Sequence, residues 1–266
     1  MKPAPFEYVR PETLDEELDV LAEGGDDAKV LAGGQSLVPA LNMRLLRPAL
    51  LVDVNRVPGL GAVAVEDGAL RVGATVRQAH PALASEHPLL AEALPHVGHF
   101  VTRNRGTVGG SVAHADPAAE LPLVLVAAEG SVVAASRGAR RTIAAEGFFT
   151  GPYFTVLEPT ELVLETLWPL PAGGDGFAFE ELSQREGDFA LCAVAVRARG
   201  DELRVVVAAV SERPLVLDVD PEHPGESAAS KVEPWGSIHA SPAYLRQLVR
   251  VLVDRAVTRA RESRAT

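Results

Sequence analysis

Cysteine is almost absent: Cys192 is the single example in 266 residues. A lone thiol cannot close an intramolecular disulfide, and it cannot supply the four thiolates of an ordinary iron–sulfur cluster. Its setting, the apolar run "FALCAVAV", reads as a small buried core residue rather than a nucleophile. Basic residues are also in deficit. The 25 Lys and Arg against 36 Asp and Glu leave a formal net charge of −11, which disfavours a general binder of nucleic acid or anionic membranes, because phosphate neutralisation needs clustered cations. No apolar run reaches the length of a membrane span, and the first segment, "MKPAPFEYVRPETLDEELDV", has no signal-peptide apolar centre. A cytoplasmic protein is expected, or one peripheral to the inner face of the membrane. Neither a nucleophile elbow nor a paired Ser-His-Asp or Cys-His set is recognisable. What remains is a globular composition, 47% hydrophobic and 23% charged, long enough for two or three modules.

Local signals order the chain. "TLDE" at 13–16 is a capping box, in which Thr13 caps a helix and Glu16 reaches back. Leu14, Leu18 and Leu21 supply its apolar stripe, and Gly24-Gly25 ends it. "AKVLAG" and "ALLVDV" read as short buried strands around the helical "SLVPALNMRLL", so 1–57 is a small α/β unit. "GAVAVEDGALRVGAT" is a hairpin turning at Asp67-Gly68. Helices are predicted over 75–84 and 88–97, then a helix end and paired strands over "LVLVAAEGSVVAASRGARRTI". "PLPAGGDG" at 169–176 is the best linker. It separates a second module, 58–170, from a third, 176–266, which holds two strand-like runs, a loop over 218–237 and a helix from Pro242 onward.

Two glycine pairs stand out, "AGGQS" at 32–36 and "TVGGS" at 107–111. Neither is a Walker A loop or a spaced Rossmann fingerprint. Successive amides of a Gly-Gly turn can form an anion-binding concavity, and glycine lets a large ligand approach the chain. One such pair is an ordinary tight turn; two with the same order of residues suggest facing concavities that grip the two phosphates of a dinucleotide without a cationic side chain. Ligands of small α/β units collect at the carboxyl ends of strands, where the first loop lies.

The segments "LAGGQSLVPALNMRLLRPALLVDVN", "RNRGTVGGSVAHADPAAELP" and "REGDFALCAVAV" together resemble the FAD-binding medium subunit of molybdenum hydroxylases, the carbon monoxide dehydrogenase and xanthine dehydrogenase relatives. "IHASPAYLRQLVRVLVDRAV" extends the likeness to the last helix. The resemblance implies an α+β fold: a two-subdomain FAD-binding fold of the vanillyl-alcohol-oxidase type, then a C-terminal domain with a three-stranded antiparallel sheet and helices. It implies FAD as cofactor. Ala32, Gly33, Gly34, Gln35 and Ser36 match the family's first pyrophosphate loop, and Thr107, Val108, Gly109, Gly110 and Ser111 its second. Glu120 matches an acidic residue near the ribityl region, Asp116 lies in the same cofactor-lining turn, and Phe189, beside Asp188, takes the place of a residue against the isoalloxazine ring. Gln35 stands where some related flavoproteins carry a histidine that attaches the flavin, so non-covalent FAD is expected. The resemblance further implies an electron-transfer subunit, with iron–sulfur clusters on a small partner chain and molybdopterin on a large one, assembled as a dimer of heterotrimers.

Other constellations carry less. Pro117 interrupts any helix that would put His114, Asp116 and Glu120 on one face, so a lining loop is preferred to a metal site. His96 and His99 read as helix-end or turn residues. Arg103 and Arg105 stand ahead of the second glycine loop, either to steer phosphates or dock a partner, or as solvated surface. A stand-alone FAD-dependent oxidase and a non-redox nucleotide-binding module remain as alternatives.

Overall fold

The capping box at Thr13 forms as read: Glu16 N donates to Thr13 Oγ1 at 3.2 Å, and Thr13 N donates back to Glu16 Oε2 at 3.2 Å. It starts the first helix of a computed structural model that describes residues 2–264. In the first unit, β1 (Glu7–Val9), α1 (Leu14–Gly24), β2 (Ala28–Leu31), α2 (Leu37–Asn42) and β3 (Leu50–Asp53) follow in order. The three strands are parallel in the order β1-β3-β2, with Leu31 opposite Asp53. The carboxyl ends of β2 and β3 therefore lie side by side, and "AGGQS" leaves the first of them.

The second unit opens with the hairpin β4 (Val63–Glu66) and β5 (Ala69–Gly73), which turns at Asp67-Gly68 with both residues at positive φ. Helices α3 (Pro81–Glu86), α4 (Pro88–Ala93), α5 (Phe100–Arg103), α6 (Val108–His114) and α7 (Glu120–Ala127) follow. Then come β6 (Ser131–Ser136), β7 (Ala139–Ala144), α8 (Ala145–Phe148), the small pair β8 (Phe149–Gly151) and β9 (Phe154–Thr155), and β10 (Leu162–Pro169). The five-stranded sheet runs β4-β5-β10-β6-β7. The helix expected over 75–84 is shorter. Residues before Pro81 instead pair with the second glycine segment: Gln78 N donates to Gly106 O, and Val108 N to Val76 O. Pro81, which has no N–H to lose, opens α3 at its first turn.

The third unit carries β11 (Asp175–Ser183), β12 (Ala190–Arg199), β13 (Glu202–Ala208), β14 (Leu215–Leu217), α9 (Pro224–Ser230) and α10 (Pro242–Ser263). Its antiparallel sheet has four strands in sequence order, one more than the resemblance implies, because "PLVL" returns along β13. The 218–237 stretch is not all loop either, since α9 lies within it and packs on α10.

Helix α7 explains how the second and third units join. Every residue from Glu120 to Ala127 is buried, and a helix apolar on all sides must be covered on all sides. It packs on β12 and β13 across one face and on α4 and α6 across another. One core, running from Leu70 through Leu123 and Trp168 to Phe177 and Val206, is continuous between the two units. Cys192 lies buried on the third unit's sheet, and burial pushes its thiol up to about 12, as an inert core residue requires. Among the described residues no helix is long and apolar enough to cross a membrane.

Candidate functional site

The two glycine segments meet. A Cβ at Gly33 would collide with the Arg105 carbonyl oxygen and lie 2.9 Å from Gly106 Cα. One at Gly110 would lie 3.7 Å from Ala32 Cβ and 2.6 Å from Thr107 Oγ1. At Gly33 only a residue without a side chain permits the approach, whereas at Gly110 the tight neighbour is Thr107 of its own segment. Gly34, at φ +72°, adds a turn that favours glycine.

The loops differ in what they leave free. In the second, Val108 N donates to Val76 O at 2.9 Å, Gly109 N to Ala74 O at 3.1 Å, Gly110 N to Thr107 Oγ1 at 3.0 Å and Ser111 N to Thr107 O at 3.1 Å. Thr107 is thus the N-cap of α6, and this segment is not the open amide concavity expected. It offers glycine surfaces and the Ser111 side chain. In the first, the amides of Gly33, Gly34, Gln35 and Ser36 donate to no protein acceptor among the described residues. The Ser36 hydroxyl makes no cap bond, and Gln35 Nε2 reaches Gly33 O only at 3.4 Å. Four successive amides lacking partners in a half-exposed loop form a ready-made anion seat.

Asp116 lies on the connection between α6 and α7, and Glu120 opens α7. Ala115, at φ +52°, ends α6 in the left-handed region. Asp116 Oδ1 accepts from Ala118 N at 2.9 Å, and Oδ2 from the Tyr153 hydroxyl at 3.3 Å. Glu120 is 5% exposed, and burial pushes its carboxyl up to about 7, against the pull of the amide at its own helix start. The Glu181 carboxyl, on β11, is pushed up to about 8 by burial and then by Glu120, and its Oε2 has no partner among the described residues. His114, Asp116 and Glu120 form no metal-ligating group among the described residues.

Asp188 and Phe189 belong to a separate turn between β11 and β12. Phe189 is 65% exposed and lines a hollow of about 390 Å³ with Gln184, Leu191 and His239. That turn touches the second unit where Gly187 abuts the His99 ring, at the start of α5. His99 is the N-cap residue of α5, and His96 sits in the turn after α4, its Nδ1 3.9 Å from Glu181 Oε1. Arg103 faces inward, its Nη1 donating to Val97 O at 3.0 Å and Gly98 O at 2.9 Å. Arg105 contributes its backbone carbonyl, which accepts from Arg77 Nη1 at 2.7 Å.

Two residues not singled out from the sequence stand at the junction of the loops. Asn55 follows β3, and its Nδ2 donates to Ala32 O at 2.9 Å and to Asp53 Oδ1 at 2.6 Å. Its Oδ1 accepts from Arg77 Nη2 at 2.7 Å. A polar residue just past a parallel strand's carboxyl end was the available signal for Asn55; nothing local marked Arg77.

An α/β unit and a five-stranded sheet press two glycine loops together, backed by a third antiparallel unit, and set an open main-chain anion seat at their junction, the architecture of a nucleotide-binding protein. Residues 4–171 match the family described as the FAD binding domain in molybdopterin dehydrogenase. The chain is 38% identical, over 98% of its length and 96% of the relative's, to the 6-hydroxypseudooxynicotine dehydrogenase complex subunit alpha of Paenarthrobacter nicotinovorans. It is 38% identical to the carbon monoxide dehydrogenase medium chain of Hydrogenophaga pseudoflava, over 82% of this chain and 78% of that one. A solved structure of carbon monoxide dehydrogenase from the same organism, lacking the Mo-pyranopterin moiety of the molybdenum cofactor, superposes with a TM-score of 0.92 at 32% identity, covering 98% of each chain. The chain belongs to the family of FAD-binding medium subunits of molybdenum hydroxylases, and it is a subunit of an oxidoreductase.

Proposed function

We propose that this chain holds FAD between the iron–sulfur clusters of a small partner chain and an external acceptor (quinone, NAD or oxygen), while substrate is oxidised on a large molybdopterin chain. The observation that carries the reading is the run of four unpartnered amides, Gly33 to Ser36, on a loop pressed against a second glycine segment. Gly33 lets the first loop lie directly on the Arg105–Gly106 backbone, and Gly110 faces Ala32 across the gap beside it, so the open amides of the first loop border a cradle suited to a diphosphate group. In an acidic protein, main-chain donors hold a doubly anionic group without a dedicated cation.

Ala32 and Gly110 would close the seat from opposite sides, with the Ser36 and Ser111 hydroxyls as further donors. Thr107 and Val108 fix the start of α6, and with it Gly109 and Ser111. Asp116 and Glu120 would line the seat beyond the diphosphate, and the buried Glu120, with its raised pKa, would be able to keep a proton near neutrality. Phe189 and Asp188 would cover the ring from the third unit. Bound flavin supplies the conversion between one-electron and two-electron carriers. Gln35 at the loop favours FAD held without a covalent bond. The relatives named as a complex subunit and a medium chain favour a heteromeric assembly, here proposed as a dimer of heterotrimers. Cys192, the chain's sole thiol, is buried and supplies no cluster.

Purification with the chains that accompany it tests the reading. The expected complex contains iron, molybdenum and FAD that denaturation releases, and Gly34→Asp removes the flavin by placing an anion and a strained residue in the seat. Colourless protein that FAD does not reconstitute would refute it. Reduction of the isolated chain's flavin by an organic donor would instead mark a stand-alone dehydrogenase.

A further inference from the structure

Four amides with no protein partners need their positions set by something other than their own hydrogen bonds. The carbonyl side of the chain supplies it. Asn55 Nδ2 donates to Ala32 O at 2.9 Å and, more weakly, to Leu31 O at 3.4 Å, so it holds the peptides that lead into the first loop. Arg77 Nη1 donates at 2.7 Å to Arg105 O, the same carbonyl that faces Gly33 Cα. Arg77 Nη2 and Asn55 Oδ1 join the two halves at 2.7 Å. A continuous chain of hydrogen bonds thus runs from one glycine segment to the other.

Its orientation is determined by chemistry. Asp53 Oδ2 accepts from the Tyr8 hydroxyl at 2.5 Å, and Oδ1 accepts from Asn55 N at 3.0 Å and from Nδ2. Burial works against the Asp53 charge, but the bonds from Tyr8 and Asn55 outweigh it and hold the carboxyl below its ordinary range. An ionised carboxylate only accepts and a guanidinium only donates. The Asn55 amide therefore has one satisfactory setting, NH₂ toward Asp53 and the loop, oxygen toward Arg77. Asn55 is solvent-exposed, yet its amide oxygen and nitrogen are both engaged, an ordering that exposed asparagines do not need for stability.

We propose that Asn55 and Arg77 are positioning residues that set the spacing of the two glycine loops and thereby the fit of the diphosphate. The inference rests on the FAD reading above. They act on the carbonyl side of both segments, leaving the amides of Gly33 to Ser36 to the ligand.

The test uses the full-length chain stripped of flavin and titrated with FAD and with ADP, which shares the diphosphate and lacks the flavin ring. Asn55→Ala and Arg77→Met are expected to weaken both ligands by the same factor, about tenfold, the loss of one hydrogen bond to a charged group. Arg77→Lys, with one ammonium in place of a fork, falls between wild type and Arg77→Met. The double variant is expected to bind no more weakly than the poorer single variant, because both side chains belong to one chain of bonds. Amide hydrogen exchange in the flavin-free protein is expected to quicken at the bonded amides beside the clamp, Val38 and 105–110, and not elsewhere, a readout that general destabilisation would not confine to those positions. Unchanged FAD and ADP affinity in folded Asn55→Ala and Arg77→Met would overturn the clamp and leave the FAD reading standing. If those variants do not fold, Arg77→Lys decides: wild-type affinity and unaltered loop exchange overturn the clamp. Wild-type protein that binds neither ligand overturns both.

Discussion

Glu17 is buried without compensation. It sits on the buried face of α1 beside Leu18 and Leu21, is fully buried, and neither carboxyl oxygen has a partner among the described residues. Burial pushes its pKa up to about 7, and the Asp53 charge adds to the shift. The folded state thus holds a proton that the unfolded chain releases near pH 4.5. Stability from this source is complete below that value and is lost as pH rises through about 7. The size of the shift corresponds to roughly 3 kcal/mol at the alkaline plateau. Glu17→Gln is therefore expected to stabilise the chain at pH 8 and to change little at pH 4.5. Paired urea melts at the two pH values check this; equal effects at both would show that Glu17 finds a partner in solution. The position was legible as the helix's inward face, because Glu17 neighbours Leu18 and Leu21 in the stripe, but its burial depends on the sheet beneath it and is written nowhere in local sequence.

Among the elements, α6 shows how little room the fold leaves at the second glycine pair. A Cβ on Gly109 would lie 2.6 Å from Ala74 Cα, backbone that cannot step aside. Gly110→Ala meets Thr107 Oγ1 instead, a side-chain atom able to rotate at the expense of its cap bond. Gly109→Ala is accordingly expected to destabilise the protein by about 2 kcal/mol or more through overpacking. Gly110→Ala loses about 1 kcal/mol, the worth of an N-cap. Thermal unfolding of the two flavin-free variants ranks them, and a reversed order would mean that the helix start moves as a unit. The same comparison explains which features were readable in advance. The capping box, the Asp67-Gly68 hairpin and the strands ending at Leu31 and Asp53 are set by residues a few positions apart, and they form as expected. The closing of the second loop's amides by Ala74, Val76 and Thr107 depends on a pairing some thirty residues distant, and so does the extended path of 74–79 in place of a helix. The Asn55–Arg77 junction spans 22 residues and has no signature of its own.

At the scale of the whole molecule, buried titratable groups sit where the units join, and their signs conflict. His87 is 1% exposed, its ring 6.0 Å from that of Trp168 on β10 and 5.7 Å from that of Phe177 on β11. Burial pushes it down to about 4, so the stability it contributes is complete above its unfolded value of about 6.5 and is lost as pH falls toward 4. Glu17, Glu120 and Glu181 are shifted the other way, to about 7, 7 and 8, and lose stability as pH rises from about 4.5 through those values. Between pH 4.5 and 6.5 the folded chain keeps protons on three carboxyls and lacks one on His87, while burial also pushes His96 and His114 down, by less. The three large carboxyl shifts outweigh the one large histidine shift and the two smaller ones, so stability falls with rising pH across that window. Below it, carboxylates held low by hydrogen bonds, Asp175 with Arg199 and Glu161 with Arg141, begin to lose their partners. Arg259 on α10, charged throughout this range, ties Phe179 O and Glu180 of β11 to Glu92 of α4 at 2.7–2.9 Å. The flavin-free chain is therefore expected to be most stable at roughly pH 5, well to the acid side of neutrality. Melting temperatures taken from pH 4 to 9 locate the maximum. Glu17→Gln combined with Glu181→Gln is expected to move it upward by about one pH unit, while His87→Leu flattens the acid limb. A wild-type maximum above pH 7.5 would mean that these carboxyls are solvated and that the units part more readily than their shared core implies.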